Sequence, residues 1–195
     1  VRDLTQFTKV VEFNDIPALE AALAPGDVAC VLAEPIMTNV GMVLPDEGYH
    51  DALRAITRAT GTLLIRQRSG SGIVNWTGFS IDRGELVRIL QPGADSVLLN
   101  RVLGTDPSRI FGMLDANGRV FLINPKGVLF GRSARVDVGS LVATTLGIGD
   151  ADFLAGRHRF AGGSGAAVVN QGRIDAADRG TVALLGGTVR NDGVI

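Results

Sequence analysis

The sequence predicts a mainly β protein in which residues 66–195 wind as stacked coils of a parallel β-helix, after a short α/β segment over residues 1–65. Glycine is concentrated after residue 65, where 22 of the 26 glycines lie. The same part consists of short β-prone runs that Gly, Asn and Asp interrupt. Two of its segments share the pattern Asn-x-Gly-x-Ile, and their asparagines, Asn170 and Asn191, are 21 residues apart. A repeat of that length suits one coil of a β-solenoid, although an antiparallel sandwich with similar hairpins is the alternative.

The composition limits the classes of protein to consider. Hydrophobic residues make up 46% of the chain and charged residues 20%, which is enough apolar material for a packed core. The net charge of −1 argues against a nucleic-acid binder, because such domains carry a clear basic excess. No apolar run approaches the ~20 residues that span a bilayer. The chain starts without Met or a signal-peptide pattern, so we expect a fragment or a processed product.

The first segment has the order helix, strand, helix, strand. Asn14-Asp15 before Ile16-Pro17 is a helix start, and Pro25-Gly26 stops that helix. The run VACVLAE (28–34) has the length of a strand, and a second helix begins near Tyr49 and ends at Gly61. TLLI (62–65) is a second short strand. Strand, helix and strand in this order form a βαβ unit, which is normally parallel.

Residues 10–65 resemble the class III pyridoxal-phosphate-dependent aminotransferases, especially the glutamate-1-semialdehyde aminomutases. Glu34-Pro35, Asn39-Val40-Gly41 and Leu44-Pro45 carry the resemblance most specifically. In that family the strand matching TLLI runs into an Asp-Glu pair, whose Asp holds the pyridine nitrogen of the cofactor. This chain has Arg66-Gln67 there, and the later segment with the Schiff-base lysine is absent. The resemblance therefore implies an inactive fragment, and we expect no cofactor.

After residue 65, six runs predict strands because they are short and rich in Val, Ile, Leu and Phe. They are IVNWTGFSI (73–81), LVRIL (86–90), SVLLNRV (96–102), RVFLI (119–123), GVLFG (127–131) and TVALL (181–185). Two segments, 115–118 and 191–193, are interpreted as turns because Asn and Gly tolerate positive φ.

Nearly all of residues 67–195 resembles the haemagglutination-activity domain of the filamentous haemagglutinin and high-molecular-weight adhesin family. The segments that carry this resemblance are 73–81, 89–131 and 136–145. The resemblance implies a right-handed parallel β-helix without catalytic activity, used as the N-terminal domain in two-partner secretion. It also implies an outer-membrane transporter with periplasmic binding domains as the partner, export to the cell surface, and a role in cell adhesion and virulence. The host ligand of the adhesin is not readable from this sequence.

Two motifs are the candidate site. They are Asn100-Arg101-Val102 and Asn124-Pro125-Lys126-Gly127. The second usually reads Asn-Pro-Asn-Gly in the family, so Lys126 is a departure. Pro125 fixes φ, Gly127 can adopt positive φ and Asn124 can form an Asx turn, which together predict a rigid corner between two strands. The resemblance implies that this region matters for recognition by the transporter.

Other chemical motifs favour structural roles. His50 and His158 lie in different segments, so we expect no metal site or catalytic triad, and we expect His50 to face solvent beside Asp51. Cys30 lies among apolar residues and is interpreted as a buried, inert thiol. Trp76 either anchors a partner or packs in the core. The glycine runs at 70–72 and 162–165 lack the pattern of a phosphate-binding loop.

These observations place a border near residue 65. Residues 1–65 carry a net charge of −5 and residues 66–195 a net charge of +4. We interpret them as two units, a truncated aminotransferase-like fragment and a secretion domain, joined in a chimeric sequence. The strands of the fragment would lack neighbours, so we expect marginal order there. The leading function is a monomeric secretion domain, and the alternatives are an aminomutase-type enzyme fragment and a carbohydrate-binding β-solenoid.

Overall fold

The structure, a computed structural model, describes residues 8–25, 31–33, 44–57 and 61–195. These residues form three helices and thirteen strands. The helices are α1 (Ile16–Leu23), α2 (Tyr49–Thr57) and α3 (Asp150–Leu154). The strands are β1 (Val31–Ala33), β2 (Thr62–Arg66), β3 (Ser71–Trp76), β4 (Leu86–Leu90), β5 (Val97–Val102), β6 (Ser108–Ile110), β7 (Met113–Ile123), β8 (Val128–Phe130), β9 (Arg135–Thr144), β10 (Ala167–Asn170), β11 (Arg173–Ala176), β12 (Val182–Leu185) and β13 (Thr188–Asn191).

The strands stack in three parallel columns. The first column contains β1, β2, β4, the first half of β7, the first half of β9 and β11. The second contains β3, β5, the second halves of β7 and β9, and β12. The third contains β6, β8, β10 and β13. All pairings between these named strands are parallel, so the prediction of a parallel β-helix is confirmed and the antiparallel sandwich is wrong.

The 21-residue echo in the sequence is one coil of this solenoid. Asn170 in β10 pairs directly with Asn191 in β13, and the Nδ2 of Asn170 donates to the Oδ1 of Asn191 at 2.8 Å. Each asparagine also accepts a hydrogen bond from the backbone N–H of the glycine two residues later, at 3.0 Å for Gly172 and 3.3 Å for Gly193. Each Asn-x-Gly segment is therefore an Asx turn at the same corner of successive coils.

The core consists of rows of inward side chains from successive coils. One fully buried row lies in the first strand column and contains Leu63, Val87, Leu114, Val136 and Ile174. Alternate residues of a strand point to opposite faces, so one apolar residue in two is sufficient to build such a row. Each side chain is sheltered mainly by its counterparts in the coils above and below, as expected of a solenoid.

The turn predicted at residues 115–118 is wrong. These residues lie within the eleven-residue strand β7, where the pairing with β9 shifts in register between Ala116 and Arg119. The segment is a β-bulge, which lets one long strand leave the first face of the solenoid and enter the second.

The first segment contains the predicted elements. The Asp15 side chain caps α1 by accepting from the Ala18 N–H at 2.9 Å. β1 is parallel to β2, and β2 also pairs with β4 in register, with Leu63 opposite Val87. The expectation that these strands lack neighbours is therefore wrong for β2, because the solenoid supplies one. The division into two units at residue 65 stays a prediction.

Among the described residues, no helix combines the length and the hydrophobicity that a transmembrane segment requires.

Candidate recognition site

The two predicted motifs lie at one corner of the solenoid. Asn100, Arg101 and Val102 end β5, and residues 124–127 follow β7 directly. β5 and β7 are neighbours, with Asn100 opposite Leu122 and Arg101 opposite Ile123. Asn124 therefore follows the position opposite Arg101 on the adjacent coil. We call residues 100–102 and 124–127 the β5/β7 corner.

Asn124 holds this corner together through its amide. It is completely buried, and its Nδ2 donates to the Asp106 carbonyl and the Ser108 Oγ, both at 3.0 Å. Its Oδ1 accepts from the Lys126 N–H at 2.8 Å, and its carbonyl accepts from the Gly127 N–H at 3.0 Å. The Asx turn expected from the sequence is thus present. One side chain links the turn to the loop of the preceding coil.

The remaining residues of the turn differ in exposure. Gly127 has φ of +116°, a conformation that other residues adopt only with strain, and it is buried. Pro125 and Lys126 are exposed, and the Ser164 Oγ donates to the Pro125 carbonyl at 2.5 Å. In the folded domain, Pro125 and Lys126 are therefore the side chains of this turn that face solvent.

Asn100 and Val102 are core residues in the folded domain. Asn100 is completely buried, and its Oδ1 accepts from the Trp76 Nε1 at 3.1 Å. Val102 is 1% exposed, and so is Trp76. The structure therefore settles the two interpretations of Trp76 in favour of packing in the core.

Arg101 points outward and anchors the insertion between β9 and β10. Its guanidinium donates to the Ile148 carbonyl at 2.9 Å and pairs with Asp150 at 2.6 Å. This insertion contains α3, and its Phe153 packs on Phe121 with ring centroids 5.6 Å apart. The insertion covers the outer side of the second strand column, which is why outward residues there are apolar.

A ladder of buried glutamines went unnoticed in the sequence. Gln91 donates from Nε2 to the Oε1 of Gln67 at 3.0 Å, and Gln67 donates from Nε2 to the Val97 carbonyl at 3.1 Å. Asn117 continues the ladder on the next coil, since its side chain bonds both the N–H and the carbonyl of Gln91. Gln67 stands where the aminotransferase resemblance implies a Glu, and in this fold it lies at the corner that follows the first strand column. The sequence does contain a signal for this ladder, because an amide residue follows each of three successive strand segments of the first column.

The histidines have structural surroundings. His50 is 7% exposed and its ring lies 5.3 Å from that of Trp76, so the expectation that it faces solvent is wrong. The reason is that α2 lies against the end of β3. His158 is exposed and contacts the ring of Phe121 at 4.7 Å. Within the described ranges, His, Cys, Asp and Glu form no group of three or more that could hold a metal ion.

Some predicted features lie outside the described residues. They are the Cys30 thiol and the aminotransferase-like residues Glu34-Pro35 and Asn39-Val40-Gly41.

The outer surface of the first column carries a row of aspartates, of which Asp115 and Asp175 pair with arginines. Asp115, Asp137 and Asp175 stack on successive coils, and Arg88 pairs with Asp115 at 2.5 Å. The hydrogen bond that Arg173 donates lowers the pKa of the Asp175 carboxyl. A groove of about 410 Å³ follows this surface, and its lining contains no aromatic ring.

We expect Asn124→Ala to lower the free energy of unfolding by about 2 kcal/mol, because buried partners would lose their hydrogen bonds. Lys126→Ala, which removes an exposed side chain two residues away, is the matched control and should change it by less than about 0.5 kcal/mol. Urea denaturation followed by circular dichroism measures both. Equal losses in the two variants would contradict the structural role assigned to Asn124.

The stacked coils and their polar corners place the chain in the class of parallel β-solenoids. In this solenoid the buried motif residues Asn100 and Asn124 stabilise the corners. The profile of the TPS secretion domain matches residues 42–195. The chain belongs to this family, the secretion domains of two-partner systems, and is therefore a secretion domain and not an enzyme.

Known relatives agree with this assignment. The crystal structure of the HMW1 secretion domain from Haemophilus influenzae superposes with a TM-score of 0.61 at 38% identity, covering 65% of this chain and 36% of that one. The heme/hemopexin-binding protein of Haemophilus influenzae is 41% identical over 83 residues, 43% of this chain and 9% of that protein. This chain therefore spans only a small part of such relatives.

The chain is also similar to glutamate-1-semialdehyde aminomutases, as its first segment predicted. Glutamate-1-semialdehyde 2,1-aminomutase of Acidobacterium capsulatum is 36% identical over 104 residues, which are 52% of this chain and 23% of that enzyme. The similarity is thus confined to a fragment of the enzyme.

Proposed function

We propose that this domain directs the export of a large adhesin, by being recognised in unfolded form by the periplasmic domains of an outer-membrane transporter. The observation that carries the proposal is the burial of the motif residues. Asn100, Val102 and Asn124 are each at most 1% exposed in the folded domain. A partner can read these side chains only before the coils close around them.

Strand physics supplies a means of recognition. An unfolded chain with many β-prone segments can add as a strand to an exposed sheet edge of a partner, and the main chain supplies the hydrogen bonds. The runs that form β5 and β7 are two such segments, and the recognition motifs end one of them and follow the other. Recognition and folding would then compete for the same backbone groups.

Folding outside the cell would make export directional. Each coil that stacks buries apolar side chains such as Leu114 and Val136, at roughly 25 cal/mol per Å² of apolar surface. The first completed coils offer a template on which the next coil pairs in parallel. The domain would thus nucleate the β-helix, withdraw its own recognition motifs from the transporter and remain at the cell surface as a monomer.

The test is a refolding experiment with the purified periplasmic domains of a two-partner secretion transporter. Refolding of the chain from urea should slow as their concentration rises, because a partner that binds the unfolded state opposes folding. The folded chain should bind at least about tenfold more weakly, a difference of ~1.4 kcal/mol. A refolding rate independent of the added domains would overturn the proposal.

Lys126→Ala serves as the matched control. Lys126 stays exposed at the β5/β7 corner after folding. If the transporter recognised this corner in the folded domain, tight binding by the folded chain would be seen and Lys126→Ala would weaken it. We expect neither result.

A further inference from the structure

The first coil of the solenoid is closed by a helix at one corner. In the first column, β1 pairs with β2 on the side away from β4. Beyond β3, residues 77–80 lead to the bridge between Ile81 and Ile110. Side chains of α2 form hydrogen bonds with the backbone of these residues. On the next coil, the corresponding backbone group bonds to the preceding coil instead, since the Leu103 N–H donates to the Trp76 carbonyl.

Donors and acceptors are matched at this contact. The Asp51 carboxylate accepts from the Thr77 N–H at 2.9 and 3.1 Å and from the Gly78 N–H at 3.3 Å. Three residues further along α2, Arg54 donates to the Ser80 carbonyl at 3.0 Å. The carboxylate accepts from N–H groups and the guanidinium donates to a carbonyl. The side chains of α2 thus supply both the acceptor and the donor that a parallel neighbouring strand would provide.

The same helix is fixed to the solenoid by buried contacts. Leu53 is 2% exposed and belongs to the main core. Arg54 also forms an ion pair with Glu85 at 2.5 Å, and both side chains are nearly inaccessible to solvent. Glu85 in turn accepts from the Asp82 N–H at 2.7 Å, which holds the turn that enters β4. The contact is therefore built into the first two coils.

We propose that α2, which lies in the aminomutase-like segment, caps the first coil at this corner and prevents it from pairing there with a second copy of the chain. A parallel solenoid ends in backbone groups that can template another strand, and natural sheets protect such edges. A helix protects them because its own backbone hydrogen bonds are internal, so it satisfies the edge through side chains and cannot extend the sheet. The aminomutase-like segment thereby acts as a structural cap.

The test uses Asp51→Ala in the full chain, with Glu20→Ala on the exposed surface of α1 as the matched control. We expect the amide protons of Thr77 and Gly78 to exchange about tenfold faster in Asp51→Ala, because hydrogen bonds to a charged acceptor are lost. Sedimentation velocity should show concentration-dependent dimers or larger species for this variant, while the control stays monomeric like the wild type. Unchanged exchange, or a variant that stays monomeric at every concentration, would overturn the proposal.

The wild-type chain gives an independent measurement. Thr77 and Gly78 are surface residues outside any strand, so their amides should exchange quickly unless Asp51 holds them. We expect both to be protected relative to the amide of Gly163, which lies in an exposed loop. Equal exchange at the three sites would show that α2 does not act as a cap.

Discussion

Replacing Trp76 with alanine should lower the free energy of unfolding by roughly 3–5 kcal/mol, the loss expected for a large aromatic residue in a packed core. Trp76 is 1% exposed, and its ring lies 5.4 Å from that of Phe79 and 5.3 Å from that of His50. Its Nε1 also satisfies the buried Oδ1 of Asn100 on the next coil. The substitution therefore creates a cavity where the first coil meets α2 and leaves a buried acceptor without its donor.

Trp76→Phe separates these two contributions. It keeps an aromatic ring but removes the N–H, so we expect a loss of about 1–2 kcal/mol, mostly from the unsatisfied Asn100 amide. Because Trp76 is the single tryptophan, unfolding must be followed by far-ultraviolet circular dichroism rather than by fluorescence. A loss below about 1 kcal/mol in Trp76→Ala would mean that the first coil is not packed as described.

The strands that the sequence predicted are those whose own residues specify them. Apolar runs such as those of β4 and β5 are β-prone in isolation. The short strands β6 and β13 each contain a single apolar residue, Ile110 and Val189, and were not predicted. Their strand conformation comes from pairing with β8 and β10, and such tertiary pairing commonly overrides local propensity.

The same distinction applies to the candidate site. The Asx turn at Asn124 was predictable because the Lys126 N–H is two residues away. The bond between Trp76 and Asn100 spans 24 residues, and that between Gln67 and Gln91 spans the same distance. Such contacts follow from the lengths of the coils, which vary along this chain. The prediction for His50 failed because it required knowing which part of the solenoid α2 covers.

The border near residue 65 shows why a composition break need not interrupt a sheet. β2 lies in the segment that resembles an α/β enzyme, yet Leu63 and Ile65 pack in the solenoid core. Strands of parallel sheets in α/β proteins are apolar on both faces. Such a strand already has inward residues at every second position, so a parallel solenoid can accept it as a rung. The proposed chimera is therefore physically coherent at this junction.

A second large effect is expected at the corner that the Asn-x-Gly segments form. Gly172→Ala should lower the free energy of unfolding by about 3 kcal/mol, at the upper end of the cost of overpacking. A methyl group on Gly172 would lie 2.6 Å from the Gly131 carbonyl oxygen and 2.8 Å from the Ala134 Cβ. These obstacles belong to the backbone and Cβ of the preceding coil, which cannot rotate away. Urea denaturation followed by circular dichroism measures the loss.

The reason for glycine at this corner differs from the one that the sequence suggested for the turn at 191–193. Turn glycines are commonly explained by positive φ, but Gly172 and its counterpart Gly193 do not have it. They are required by space, because coils about 4.8 Å apart bring one backbone against the next. Gly163→Ala is the matched control, since nothing lies within 4 Å of the added methyl group. We expect it to change stability by less than about 1 kcal/mol. Similar losses at Gly163 and Gly172 would show that close stacking of coils is not what selects glycine at this corner.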